Sequence, residues 1–152
     1  MRRTKIKMKH IFYILLYFSC SFSVFGQTVE NEWKKILQSR KFTVTKNKYE
    51  VSLKALTQIV DTITEIGNPK EKWTSSCNPK KGLPRVKLNW AATDGENWII
   101  SATIGGFSVK TTYYLISPTS LEKISNPGWT GEKFKDFKTK YISGTIKKGS
   151  LY

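Results

Sequence analysis

A lysine-serine-lysine row and an arginine-threonine-serine row are the groups in this chain best suited to recognition chemistry. In an antiparallel meander built from "RVKLNWAATDGENWIISATIGGFSVKTTYYLI", one hairpin register lines up Lys87, Ser101 and Lys110, and beside them Arg85, Thr103 and Ser108. Cations flanking hydroxyls on a rigid sheet can meet phosphate or carboxylate groups with little loss of side-chain freedom. Further rows on the same face are Asn89, Ile99 and Thr112, and Ala91, Asn97 and Tyr114. The expected binding face is therefore Arg85, Lys87, Ser101, Thr103, Ser108, Lys110, Thr112 and Tyr114, with no carboxylate among them. Ile99, Ile116 and Tyr114 sit uneasily on an open face and ask for cover from the tail or a partner. Trp73 and Trp129, beside Lys72 and Lys133, could extend such a surface with aromatic contacts.

Catalytic chemistry has few routes. The only histidine, His10, lies in the N-terminal leader, so Ser–His–acid and Cys–His arrangements and His-containing zinc sites are absent downstream. Carboxylates remain. Asp94 and Glu96 share one tight turn, and Glu30 and Glu32 lie near the start of the body, whereas a glycosidase needs two carboxyls converging from different elements. Neighbours on one turn read as turn-forming and solvated. Ser120 and Lys123 have a Ser-x-x-Lys spacing without the partner motifs that give it meaning. No calcium loop and no phosphate-cradling glycine loop appears, so no metal or cofactor is expected.

The leader decides which residues belong to the working protein. Arg2, Arg3, Lys5, Lys7 and Lys9 precede the apolar run Ile11–Phe25, which falls short of the roughly 20 residues of a spanning helix. A basic head, a short greasy middle and a small residue at Gly26 describe a secretory signal cut before Gln27. An uncleaved anchor is one alternative. Lipid modification at Cys20 is another, disfavoured by Tyr17 where a small aliphatic residue is wanted. The expectation is a periplasmic or extracellular protein: signal 1–26, then one domain over 27–152 with no span after cleavage.

Losing the leader lowers the formal net charge from +15 to +10 and leaves Arg40 and Arg85 as the only arginines. Lysine is a hydrated point charge, while specific phosphate and base recognition relies on the planar arginine fork. The composition thus argues against specific nucleic-acid binding and for attraction to an anionic envelope polymer or an acidic protein partner. Cys77 is unpaired within the exported body and could form an intermolecular disulfide.

The elements that must hold these groups follow from periodicity. Thr28 can cap a helix carrying Val29, Trp33, Ile36 and Leu37 on one side, and "KFTVTK" alternates as a strand. Leu53, Leu56, Ile59, Val60, Ile63 and Ile66, stopped by Gly67 and Pro69, predict a second helix. Gly105-Gly106 predicts a two-residue hairpin turn, its glycines allowing positive φ at both positions, and pairs Ile104 with Phe107. A three-residue turn Thr93-Asp94-Gly95 pairs Trp90 with Trp98. Together they collect Val86, Leu88, Trp90, Trp98, Ile100, Ala102, Ile104, Phe107, Val109, Tyr113 and Leu115 on one apolar face. In the tail, Thr119 and Glu122 have capping-box spacing for a short helix. Phe134, Phe137 and Tyr141 have helical spacing, but Thr139–Lys147 is preferred as a strand.

The expected fold is α+β: an antiparallel sheet of three to five strands, with the meander over 85–116, packed on two N-terminal helices. The expected function is a small exported non-enzymatic binding module, of which an inhibitor or immunity-type protein is an example. The runner-up is a His-free hydrolase using paired carboxylates.

Overall fold

The computed structural model describes residues 30–76, 78, 80–126 and 133–146. The leader and its cleavage site, Cys20, Thr28, Val29, Cys77, Trp129 and Lys147 lie outside the described residues. The chain divides into two compact units between Ser39 and Arg40. In the first, helix α1 covers residues 30–39; Trp33 and Leu37, four apart, are its buried positions, and Glu30 pairs with Lys34 at 2.9 Å on its surface.

The second unit is a mixed α+β body around an antiparallel sheet. Its strands are β1 (Thr43–Thr45), β2 (Ile66–Gly67), β3 (Val86–Thr93), β4 (Trp98–Ile104), β5 (Lys110–Ile116) and β6 (Leu121–Asn126). The spatial order is β1-β3-β4-β5-β6; β2 also pairs with β3, in parallel, beside β1. β1, β3, β4 and β5 form within the runs that read as strands, but β4 and β5 are buried on both faces and Val44 of β1 is exposed.

The second helix does not extend as the periodicity suggests. Only α2 (Leu53–Leu56) forms, followed by a single 3-10 turn at Ile63–Glu65 and by β2. Thr57, Ile59, Val60, Thr62, Ile63 and Thr64 crowd this stretch with β-branched side chains that lose freedom in a helix. The apolar spacing reports burial in part: Leu56, Val60 and Ile66 pack with Val51 and Ala55 against Val86, Leu88, Ala91, Ile100, Ala102, Tyr114 and Ile116 on one side of the sheet, while Leu53 is exposed.

Both hairpin registers differ from expectation. Ile104 pairs with Lys110, not with Phe107, and Trp98 with Ile116. The β4–β5 connection is a five-residue loop, and neither Gly105 nor Gly106 takes positive φ. At the other hairpin Thr93 pairs with Trp98 across the four-residue loop Asp94–Asn97, where Gly95 does take φ 98°. A β-bulge at Asn89 then shifts the β3–β4 ladder, so that Leu88 faces Ala102 while Trp90 faces Ser101. These shifts send Trp90 and Tyr113 to the second face with Ile99 and Leu115, and put Phe107 and Val109 in the loop.

That second face is covered, not open. Helix α3 (Phe134–Ile142) brings Phe137 to 4.6 Å from the Tyr113 ring and 5.7 Å from Trp90, and Phe134 to 5.5 Å from Trp90 and 5.4 Å from Phe42. The expected strand at 139–147 is replaced by this helix and its stop. Gly144, at φ 72°, accepts the left-handed position, with Gly144 N–H donating to Tyr141 C=O and Thr145 N–H to Lys140 C=O. The expected helix at Thr119–Glu122 is likewise a turn into β6: Ser117 Oγ accepts from the N–H groups of Thr119 and Ser120, and Ile116 pairs with Leu121. Among the described residues no helix is long and apolar enough to cross a membrane.

Candidate functional site

The corrected register divides the eight expected binding residues between two faces and one loop. Ser101 and Thr103 are buried on the α3 side, bonded to Asn89: its Nδ2 donates to Ser101 Oγ at 3.2 Å and to Thr103 Oγ1 at 2.9 Å. The bulge makes this possible, because it turns Asn89 and Trp90 toward the same side. Thr112 and Tyr114 are buried on the opposite side. Burial pushes the Tyr114 phenol up from its ordinary value, and Lys123 Nζ lies 5.6 Å from its ring. These four side chains stabilise the sheet interior, and the continuous rows drawn from sequence do not form.

The other four gather at one end of the sheet. Arg85 enters β3 exposed, its carbonyl accepting from Gly105 N–H at 3.0 Å. Lys87, one step along, is half-buried with Nζ 4.9 Å from the Trp73 ring centroid. Lys110 opens β5 and Ser108 sits in the preceding loop, both exposed. Beside Arg85 is a cleft of about 540 Å³ whose lining includes Lys80, Lys81, Gly82 and Pro84, with Glu65 as its carboxylate.

A residue read as core completes this end. Phe107 is 99% exposed at the tip of the β4–β5 loop, with Val109 also exposed beside it. The loop is not loosely held. Gly106 N–H donates to Ser75 C=O at 3.1 Å, and the 74–75 backbone lies so near Gly105 that a Cβ there would meet Thr74 O at 2.4 Å. Gly105 is needed for that close approach. Phe107 was missed because a two-residue turn at Gly105-Gly106 forces the next residue inward. The signal that could have found it is the Gly105-Gly106 pair opening onto an aromatic, which suits a longer loop equally well.

The carboxylates of the first hairpin have a different task. Asp94 Oδ1 accepts from the N–H groups of Glu96 (3.0 Å) and Asn97 (2.7 Å), and Oδ2 from Asn97 Nδ2 (2.9 Å) and Arg40 (3.0 Å). Burial pushes this carboxyl up, but the donors from Asn97, Glu96 and Arg40 outweigh it and hold it below the usual range. Arg40 reaches Glu96 as well, at 2.8 Å, and hydrogen bonds first to Glu96 and then to Asp94 raise its own pKa. This is a clamp on a turn. After β2, Glu71 is held by Asn68, whose backbone N–H and side-chain amide depress its pKa.

Comparison with family models, curated proteins and solved structures finds no match for this chain.

Proposed function

We propose that the chain is exported, loses residues 1–26, and works as a non-enzymatic docking module that seats the β4–β5 loop in an acidic protein partner. The observation that carries the reading is Phe107, 99% exposed on a loop tied to the 74–75 backbone, with Arg85 C=O accepting from Gly105 N–H where the loop begins and Lys110 opening β5 where it ends. Monomeric surfaces tolerate single exposed apolar residues, but an aromatic held at a tip with cations at its base has the composition of an interface anchor and rim. The cations draw an acidic surface together and set the register, while the ring supplies affinity. An anionic polymer would use the lysines equally well. It would have no use for Phe107 and Val109, and this favours a protein over a polymer. An inhibitor or immunity-type role belongs to the same class.

A photo-crosslinking amino acid at position 107 tests the reading. In cells carrying the full-length chain, it should give one dominant adduct with a partner of acidic surface. The same label at exposed Thr57 should not, and Arg85→Glu with Lys110→Glu should remove the adduct. Equal adducts from both positions, or an adduct indifferent to charge reversal, would sink the proposal.

A further inference from the structure

We propose that a second cleft, at the end of the sheet away from the Phe107 loop, binds a short neutral oligosaccharide. The cleft measures about 500 Å³ and lies between α2, the Asp94–Asn97 loop and the β5–β6 turn. Clefts of about 300–1,000 Å³ suit ligands of this size. Trp98 is half-buried: it packs against the core cluster and also lines the cleft. Around it stand Lys54, Gln58, Glu96, Ser117 and Ser120.

A pyranose ring has an apolar C–H face edged by hydroxyls that both donate and accept. The lining answers that pattern with an aromatic wall and a mixed polar rim. Gln58 offers both a donor and an acceptor, Lys54 donates, and Glu96 accepts. Two features tie parts of the rim. Glu96 is held by Arg40 at 2.8 Å, and Ser117 Oγ accepts from Ser120 N–H at 3.0 Å while lying 2.7 Å from Ser120 Oγ. Rigid polar groups lose little freedom on binding. Charge also selects the ligand class. The lining carries one cation, Lys54, and one carboxylate, Glu96, and Arg40 behind it is matched by Asp94, so the lining presents no single-sign field to an ion. The opposite end, with Lys80, Lys81 and Arg85 around its cleft, is set for anions. The molecule thus has two ends with two chemistries, and this site does not depend on the docking role of Phe107.

The test is an NMR titration of the full-length ¹⁵N-labelled chain with maltotriose, cellotriose and tri-N-acetylchitotriose. At least one sugar should give saturable shifts of the Trp98 indole N–H and of the amides of Gln58, Glu96, Ser117 and Ser120, complete by about 5 mM. Gln58→Ala, at an exposed position, should weaken binding roughly five- to tenfold through one lost hydrogen-bonding group. Trp98→Phe should keep the fold and weaken binding by a similar factor, and Phe107→Ala should leave it unchanged. No saturable shift with any of the three sugars, shifts centred outside the cleft, or wild-type affinity in both Gln58→Ala and Trp98→Phe would overturn the assignment.

Discussion

Two adjacent glycines should respond oppositely to the same substitution. A Cβ on Gly105 would lie 2.4 Å from Thr74 O and 2.9 Å from Ser75 Cα, and both are backbone atoms without a rotamer to change. Gly105→Ala must therefore push the 74–75 segment off the base of the loop. The overlap costs about 1–3 kcal/mol as overpacking. Weakening the bonds from Gly105 N–H to Arg85 C=O and from Gly106 N–H to Ser75 C=O adds about 0.5–1.5 kcal/mol each. Allowing for partial relaxation, the total is about 2–4 kcal/mol, or roughly 8–16 °C in Tm for a domain of this size. Gly106 has nothing within 4 Å of its added Cβ and no positive φ, so Gly106→Ala should be neutral or slightly stabilising, within about 0.5 kcal/mol. Urea and thermal unfolding of the two variants measure the contrast directly. Equal stabilities, or a Gly106→Ala variant worse than Gly105→Ala, would refute the close-approach explanation and restore a turn in which both glycines serve conformation.

Further outcomes follow from the other packed groups. Asp94→Ala should cost about 2–4 kcal/mol by urea titration, since it strips acceptors from four donors at a carboxylate only 2% exposed. Asp94 and Glu71 have folded pKa values below their unfolded ones, so their contribution is complete above the unfolded value near pH 4 and is lost as pH falls through the depressed folded values. The urea midpoint should therefore fall at acid pH, and Asp94→Asn should flatten that fall. Phe137→Ala, removing the ring packed on Trp90 and Tyr113, should destabilise by about 3–5 kcal/mol and abolish the near-UV signal of the buried aromatics.

The legible parts of the fold were those decided by local chemistry. Val44 between Thr43 and Thr45 alternates and makes a strand; the β3 and β4 runs fall within a residue or two of their expected places, while β5 begins at Lys110, three residues beyond the expected Phe107; Gly95 marks a real left-handed turn position. What escaped was set by tertiary contacts. The Asn89 bulge exists because Asn89 and Trp90 both find partners on one side, and a strand's alternation carries no sign of it. The 53–66 stretch shows a helical spacing of apolar residues, but its β-branched side chains favour a winding path that buries Leu56, Val60 and Ile66, half-buries Ile59 and Ile63, and leaves Leu53 exposed. Phe134, Phe137 and Tyr141 did announce a helix; Ser143-Gly144 was the stop signal that should have decided against a strand. For the site, Arg85, Ser108 and Lys110 were legible as a basic, hydroxyl-bearing group, and they do share one end of the sheet. Phe107 was not, since its side depended on a loop length that Gly105's contact with Thr74 determines.

The most direct test of the docking account is the affinity of the partner trapped at position 107 for the wild type and for Phe107→Ala, measured by calorimetry at two salt concentrations. If Phe107 is the anchor, its removal should cost at least about 2 kcal/mol, roughly 30-fold in Kd, with the Tm of the free protein and the salt dependence of binding both unchanged. A Phe107→Ala variant that binds like wild type, with affinity instead tracking salt and the number of lysines, would contradict the account and leave diffuse electrostatic attraction in its place.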